Sequence, residues 1–146
     1  MKKRILYIIR GLSGCGKTTL ANMIAPDACP AADDYFMRDG EYAFDQGWSK
    51  EEKAAQLQQA HDTCQDRTED LMSSGVEVIA VHNTFTRRWE AHPYFQMAAD
   101  FGYTPVVIDL YDAGKNDYDL SRRNVHNVSI HTIRAQRKRW ERNIYP

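Results

Sequence analysis

Long hydrophobic runs are missing from this 146-residue chain. The longest, Ile5 to Ile9, stops at Arg10, too short for a membrane span or for the apolar region of a signal peptide. Cysteine is sparse as well. Cys15, Cys29 and Cys64 are odd in number and lack metal or redox spacing, so free thiols in a reducing, cytoplasmic compartment are expected. Neither sign of charge dominates, because 19 Lys and Arg stand against 20 Asp and Glu. A composition 42% apolar and 27% charged excludes a disordered, fibrous or disulfide-scaffold class.

What is present is one domain's worth of chain, read as a single unit over 1–146, long enough to bury about 68–70% of its unfolded surface. Its near-neutrality hides an asymmetry. Residues 122–142 hold seven Arg or Lys and one Glu, a basic end that suits either a polyanion or a solvated helix face.

Hydrophobic patterning alternates strand and helix. Ile5 to Ile9 reads as a strand covered on both faces, Thr18 to Ala25 as a helix stopped near Pro26, and Ala28 to Ala32 as a short second strand. Ser49 is a plausible N-cap, with Glu51 and Glu52 in the first turn of a long amphipathic helix closed by Gly75. Val76 to Val81 and Val106 to Tyr111 are further strands around a helix over 87–100, and helical spacing returns from about Ser129 to Arg142. The expected fold is α/β, a parallel sheet of about four strands with helices on both faces and a short helical lid. The polar residues after each strand, Gly11 to Thr18, Asp33-Asp34, His82-Asn83-Thr84 and Asp112, are expected to converge on one crevice.

Gly11-Leu12-Ser13-Gly14-Cys15-Gly16-Lys17-Thr18 matches the phosphate-loop pattern, with an apolar strand before it and a helix after it. Its glycines let successive N–H groups approach phosphate oxygens, and the helix N-terminus adds its positive dipole end. Gly11, Ser13, Gly14, Cys15, Gly16, Lys17, Thr18 and Thr19 are therefore the candidate ATP contacts. Lys17 is placed for the β and γ phosphates and the Thr18 hydroxyl for Mg²⁺.

Asp33 can serve as a base for an attacking hydroxyl, touch Mg²⁺ through water, or cap the following helix. Asn83 and Thr84 can orient an acceptor or a metal-bound water, Thr86 can cap a helix, and His82 is as readily structural as chemical. No acidic residue follows the run Val76 to Val81, so an ordinary Walker B aspartate is missing there. Arg122 and Arg123, before the last helix, suit either a phosphate contact or a surface patch.

Taken together, the glycine loop, Asp33-Asp34-Tyr35, Gly40-Glu41-Tyr42-Ala43-Phe44-Asp45, Ala60-His61, Asn83-Thr84, Trp89-Glu90 and Arg123-Asn124 resemble the 5′-hydroxyl polynucleotide kinase domain of bacteriophage and its small P-loop kinase relatives. The resemblance spans nearly the whole chain. It implies that Lys17 and Thr18 hold triphosphate and metal, that Asp33 is the general base, and that Arg123 is a lid contact to phosphate. Two positions depart from it. Phe36 stands where that kinase has an acceptor-holding arginine, leaving Arg38 as the substitute, and His126 and Asn127 fall near a second family arginine. The expected activity is phosphoryl transfer from ATP to a hydroxyl, preferably the 5′-OH of a nucleic acid. The alternatives are a nucleoside or nucleotide kinase and a slowly hydrolysing switch module.

Overall fold

The computed structural model describes residues 3–146. In chain order the elements are β1 (Ile5–Gly11), α1 (Lys17–Ile24), a 3-10 turn (Ala32–Phe36), β2 (Met37–Arg38), β3 (Glu41–Tyr42), α2 (Lys50–Ser73), β4 (Val78–Asn83), α3 (Arg88–Phe101), β5 (Thr104–Tyr111), α4 (Asp117–Arg123) and α5 (Ile130–Lys138). β1 lies in the middle, parallel to both neighbours, in the order β4-β1-β5. Its Leu6, Ile8 and Ile9 are fully buried, as an apolar strand covered on both faces requires. Helices flank this sheet, and no helix among the described residues is long and apolar enough to cross a membrane.

The α/β class agrees with the sequence reading, but among the described residues the parallel ladder has three strands rather than about four. Ala28 to Ala32 does not form a strand. The Ala28 and Pro30 carbonyls accept from the Ala80 and His82 N–H groups of β4, at 2.9 and 3.0 Å. Proline has no N–H to return, so the pairing stays one-sided and no ladder closes.

Helix boundaries follow local chemistry. Ser49 caps α2 by accepting from the Glu52 N–H at 3.1 Å, while the Glu52 carboxylate turns back to the Ser49 N–H. Thr86 does not cap α3 in the expected sense. The Glu90 carboxylate reaches back from inside the helix to the Thr86 N–H at 3.0 Å. The Thr86 hydroxyl instead donates to Glu90 and receives Arg139 Nε at 3.0 Å. α4, capped by Asn116, is the short helix at the place expected of the helical lid, ahead of the last helix.

Two apolar clusters hold the molecule. The larger joins Leu6, Ile8, Ile9 and Ala21 with Ile79, Val81, Phe85, Tyr94 and Phe95. The smaller consists of Leu12, Cys15, Leu120 and Ile133, and it seats α4 and α5 directly on the loop that follows β1.

Candidate active site

That loop is shaped by two left-handed turns, at Gly14 (φ 86°) and Gly16 (φ 102°), where an L side chain would be strained. A Cβ on Gly14 would also collide with the Leu120 carbonyl of α4. At Gly16 the position of the absent Cβ faces open space, a cradle of the kind a phosphate group fills. α1 begins at Lys17, so its first N–H groups and its positive dipole end follow directly on this glycine.

Lys17 Nζ turns back on the loop, donating to the Gly11 and Leu12 carbonyls at 2.9 and 3.2 Å, with Cys15 Sγ at 3.9 Å. Desolvation lowers the ammonium pKa, opposed first by Cys15 and then by the nearby charge of Asp33. An anion in the cradle restores what burial removes. Thr18 and Thr19 are exposed in the first turn of α1. Gln136 of α5, buried, clamps the loop from the other side. Its carbonyl accepts the Ser13 N–H at 3.1 Å and its amide donates to Ser13 Oγ at 2.9 Å. Sequence reasoning missed Gln136, because nothing in the basic run distinguishes it.

The adjacent aspartates have different surroundings. Asp34 accepts the Ala31 N–H at 3.1 Å and Arg67 Nη1 at 3.0 Å, so the capping considered for Asp33 is done by its neighbour. Asp33 Oδ1 instead accepts the Tyr42 hydroxyl at 2.9 Å, and Oδ2 lies 3.6 Å from His126 Nε2. Burial and Asp33 together push the Tyr42 phenol well above its ordinary pKa. Tyr42 therefore stays a hydrogen-bond donor at any physiological pH.

Asn83 is turned inward. Its side-chain carbonyl accepts the Ala32 N–H at 2.8 Å and its amide lies 3.7 Å from Cys64 Sγ, so it fixes the turn that carries Asp33. The Thr84 carbonyl accepts the Gly11 N–H at 3.3 Å, tying the end of β4 to the loop. His82 Nε2 contacts the Cys29 carbonyl at 3.1 Å, and burial lowers its pKa; both mark it as structural. Arg38 bonds the Tyr35 and Met37 carbonyls in the hairpin.

Part of the basic C-terminal segment is paired internally. Arg137 binds Asp112 and Asp117, each at 2.8 Å, and Arg134 lies 3.7 Å from Asp117. Asp112 thus belongs to the α4–α5 contact, not to the crevice beside Asp33. Arg122 and Arg123 remain exposed; Arg122 lies over the Tyr118 ring at 5.3 Å. Arg123 carries no ion pair among the described residues.

Among the described residues no three His, Cys, Asp or Glu side chains converge as a metal cage. The donors at hand, the Thr18 hydroxyl and the Asp33 carboxylate, are hard oxygens that suit Mg²⁺ shared with phosphate oxygens rather than an all-protein site.

A family model described as an AAA domain matches residues 6–143. Among solved structures, the chain is similar to a protein of Chloroflexus aurantiacus described as a "putative kinase". Identity is 22%, the TM-score is 0.58, and the match covers 75% of this chain and 60% of that one. It is also similar to the AvrRxo1-ORF1:AvrRxo1-ORF2 complex with sulphate ions, at 20% identity and a TM-score of 0.48, covering 75% of this chain and 37% of that one. This chain therefore spans less than two thirds of either, and the likeness to the first is one of fold.

Proposed function

The chain belongs to the AAA-domain family, and from that premise we propose that it is an ATP-dependent kinase that phosphorylates a hydroxyl group. The observation that carries the reading is Asp33, a carboxylate half exposed beside the phosphate loop, spared from capping by Asp34 and felt electrostatically by Lys17. A switch module that only binds and hydrolyses nucleotide has no use for a base at that place.

In this reading Gly14 to Thr19 cradle the triphosphate and Lys17 swings from the loop carbonyls to its β and γ phosphates. The Thr18 hydroxyl would hold Mg²⁺ directly and Asp33 would reach it only through water; the ion when bound neutralises charge on the phosphate oxygens. Asp33 Oδ2 accepts the proton of the acceptor hydroxyl. The acceptor oxygen bonds to the γ-phosphorus as the bond from that phosphorus to its bridging oxygen breaks. ADP leaves with the electron pair, and Asp33 returns its proton to water. Arg123 is the candidate for meeting charge on the transferring group.

The preferred acceptor is the 5′-OH of a nucleic acid, supported by exposed Arg122 and Arg123 on the segment that leads to Asp33 through His126. A nucleoside or nucleotide acceptor is the second reading, favoured by the internal pairing of Arg134 and Arg137. Labelled ATP offered with 5′-OH oligonucleotides, nucleosides and nucleotides at several salt concentrations tests this. Transfer to oligonucleotides with an apparent affinity that falls as salt rises supports the first. Transfer to nucleosides or nucleotides alone establishes the second, and hydrolysis without any transfer overturns the kinase reading.

A further inference from the structure

Tyr42 sits on Asp33 as a braced, flat surface. Its hydroxyl is held by Asp33 Oδ1, and its ring packs on Phe36 at 5.7 Å. Phe36 is itself buried, with Tyr35 and Phe44 each at 5.2 Å and Trp48 at 6.5 Å. The ring thus has little freedom to turn. Against it lies the imidazole of His126, stacked at 4.2 Å between centroids and 29° between planes.

His126 comes from the connection between α4 and α5, not from a helix. Its fit is incomplete. Nε2 is 3.6 Å from Asp33 Oδ2, beyond a good hydrogen bond, and Nδ1 is buried with no partner among the described residues, which costs free energy. A planar ring on Tyr42 with a polar hydrogen turned to Oδ2 is what the proposed chemistry needs of an acceptor. The imidazole supplies the ring, and its Nε2 stands on the Oδ2 side where such a hydrogen would sit.

We propose that Tyr42 is the stacking platform of the acceptor site and that His126 occupies, in the free protein, the place of the acceptor's planar ring. The acceptor is then a nucleoside unit, free or at the end of a strand, its base on Tyr42 and its hydroxyl at Asp33 Oδ2. This rests on the kinase reading above and narrows its substrate class.

Steady-state transfer and calorimetry, with a nucleoside, a 5′-OH oligonucleotide, ribose and glycerol, test it in wild type, Tyr42→Leu, Tyr42→Phe and His126→Ala. Loss of one base stack predicts that Tyr42→Leu raises the KM for nucleoside and oligonucleotide about 5- to 150-fold, with ATP affinity kept as evidence of folding. Tyr42→Phe keeps the stack and so keeps KM, but lowers kcat because Asp33 loses its phenolic partner. His126→Ala lowers the acceptor KM, because the ring no longer competes for the platform; an unchanged KM overturns the place given to His126. Ribose and glycerol are poor acceptors for every variant. Equal KM values for Tyr42→Leu and wild type, or transfer to glycerol as efficient as to nucleoside, overturn the platform while leaving the kinase reading standing. Tyr42-dependent nucleoside binding without any transfer does the reverse, and the nucleoside and oligonucleotide arms separate the two sources of the same unit.

Discussion

Asp33 and Asp34 are chemically identical neighbours that the backbone assigns to different duties. The 3-10 turn directs Asp34 to the Ala31 N–H and Arg67 and leaves Asp33 toward the loop. A pair of adjacent aspartates after an apolar segment carries no mark of that division, so the sequence reading could keep base, metal ligand and cap only as open alternatives for Asp33. Removing Asp34 should act on stability. Asp34→Ala is expected to cost about 0.5–2 kcal/mol, as loss of a cap does, seen as a lower urea midpoint with unchanged ATP affinity. Lys17 was legible from its motif alone. Lys17→Ala should weaken ATP binding on the order of ten- to a hundred-fold, the worth of a charged hydrogen bond; calorimetry giving wild-type affinity would reject its phosphate role.

At the scale of elements, α5 shows where periodicity and charge counting stop. Its helical spacing was readable, but its basic residues were read as an open face because the acids that neutralise Arg137 lie 20 and 25 positions earlier in the chain. That pairing has a pH signature. Hydrogen bonding from Arg137 holds the Asp112 carboxyl below its ordinary value. The ion pair therefore stabilises the docked helix above the ordinary carboxylate pKa, and its contribution fades as pH falls through the lowered one. Acid titration followed by fluorescence of Trp140, which packs on Tyr111 at 5.0 Å, should show α5 loosening in that range. Asp112→Asn should remove the transition. Arg137→Ala should lower the melting temperature without changing the salt dependence of any oligonucleotide binding, since its guanidinium is not free to meet phosphates.

Across the whole molecule, one buried arginine joins segments far apart in the chain. Arg10 Nη2 donates to the Phe85 carbonyl at 2.8 Å and to the Glu141 carbonyl at 2.7 Å, and Nη1 reaches the Arg142 carbonyl at 3.2 Å. Asp109 at 3.3 Å and the Trp140 face at 3.8 Å complete its surroundings. Desolvation lowers its pKa, opposed chiefly by Asp109. A charge at the end of an apolar strand reads as the strand's stop signal, and contacts 75 to 132 positions away leave no local pattern. Arg10→Met should therefore cost about 3 kcal/mol or more by stranding those carbonyls, measured by urea unfolding. β1, the glycine loop, the Ser49 cap and the strand–helix alternation were all legible, because each is written within one turn or one strand of chain. The missing second strand was legible in part: Pro30 shows in the sequence that one donor is lacking, whereas the diversion of the Ala32 N–H to the Asn83 side chain, 51 positions away, leaves no local mark.

The most direct test compares wild type with Asp33→Asn in the transfer of phosphate from labelled ATP to whichever hydroxyl acceptor the wild type uses, with ATP affinity measured alongside. A general base is worth about 10² to 10⁴ in turnover. Asp33→Asn should fall by that factor while binding ATP within a few-fold of wild type. Undiminished transfer by Asp33→Asn would contradict the account.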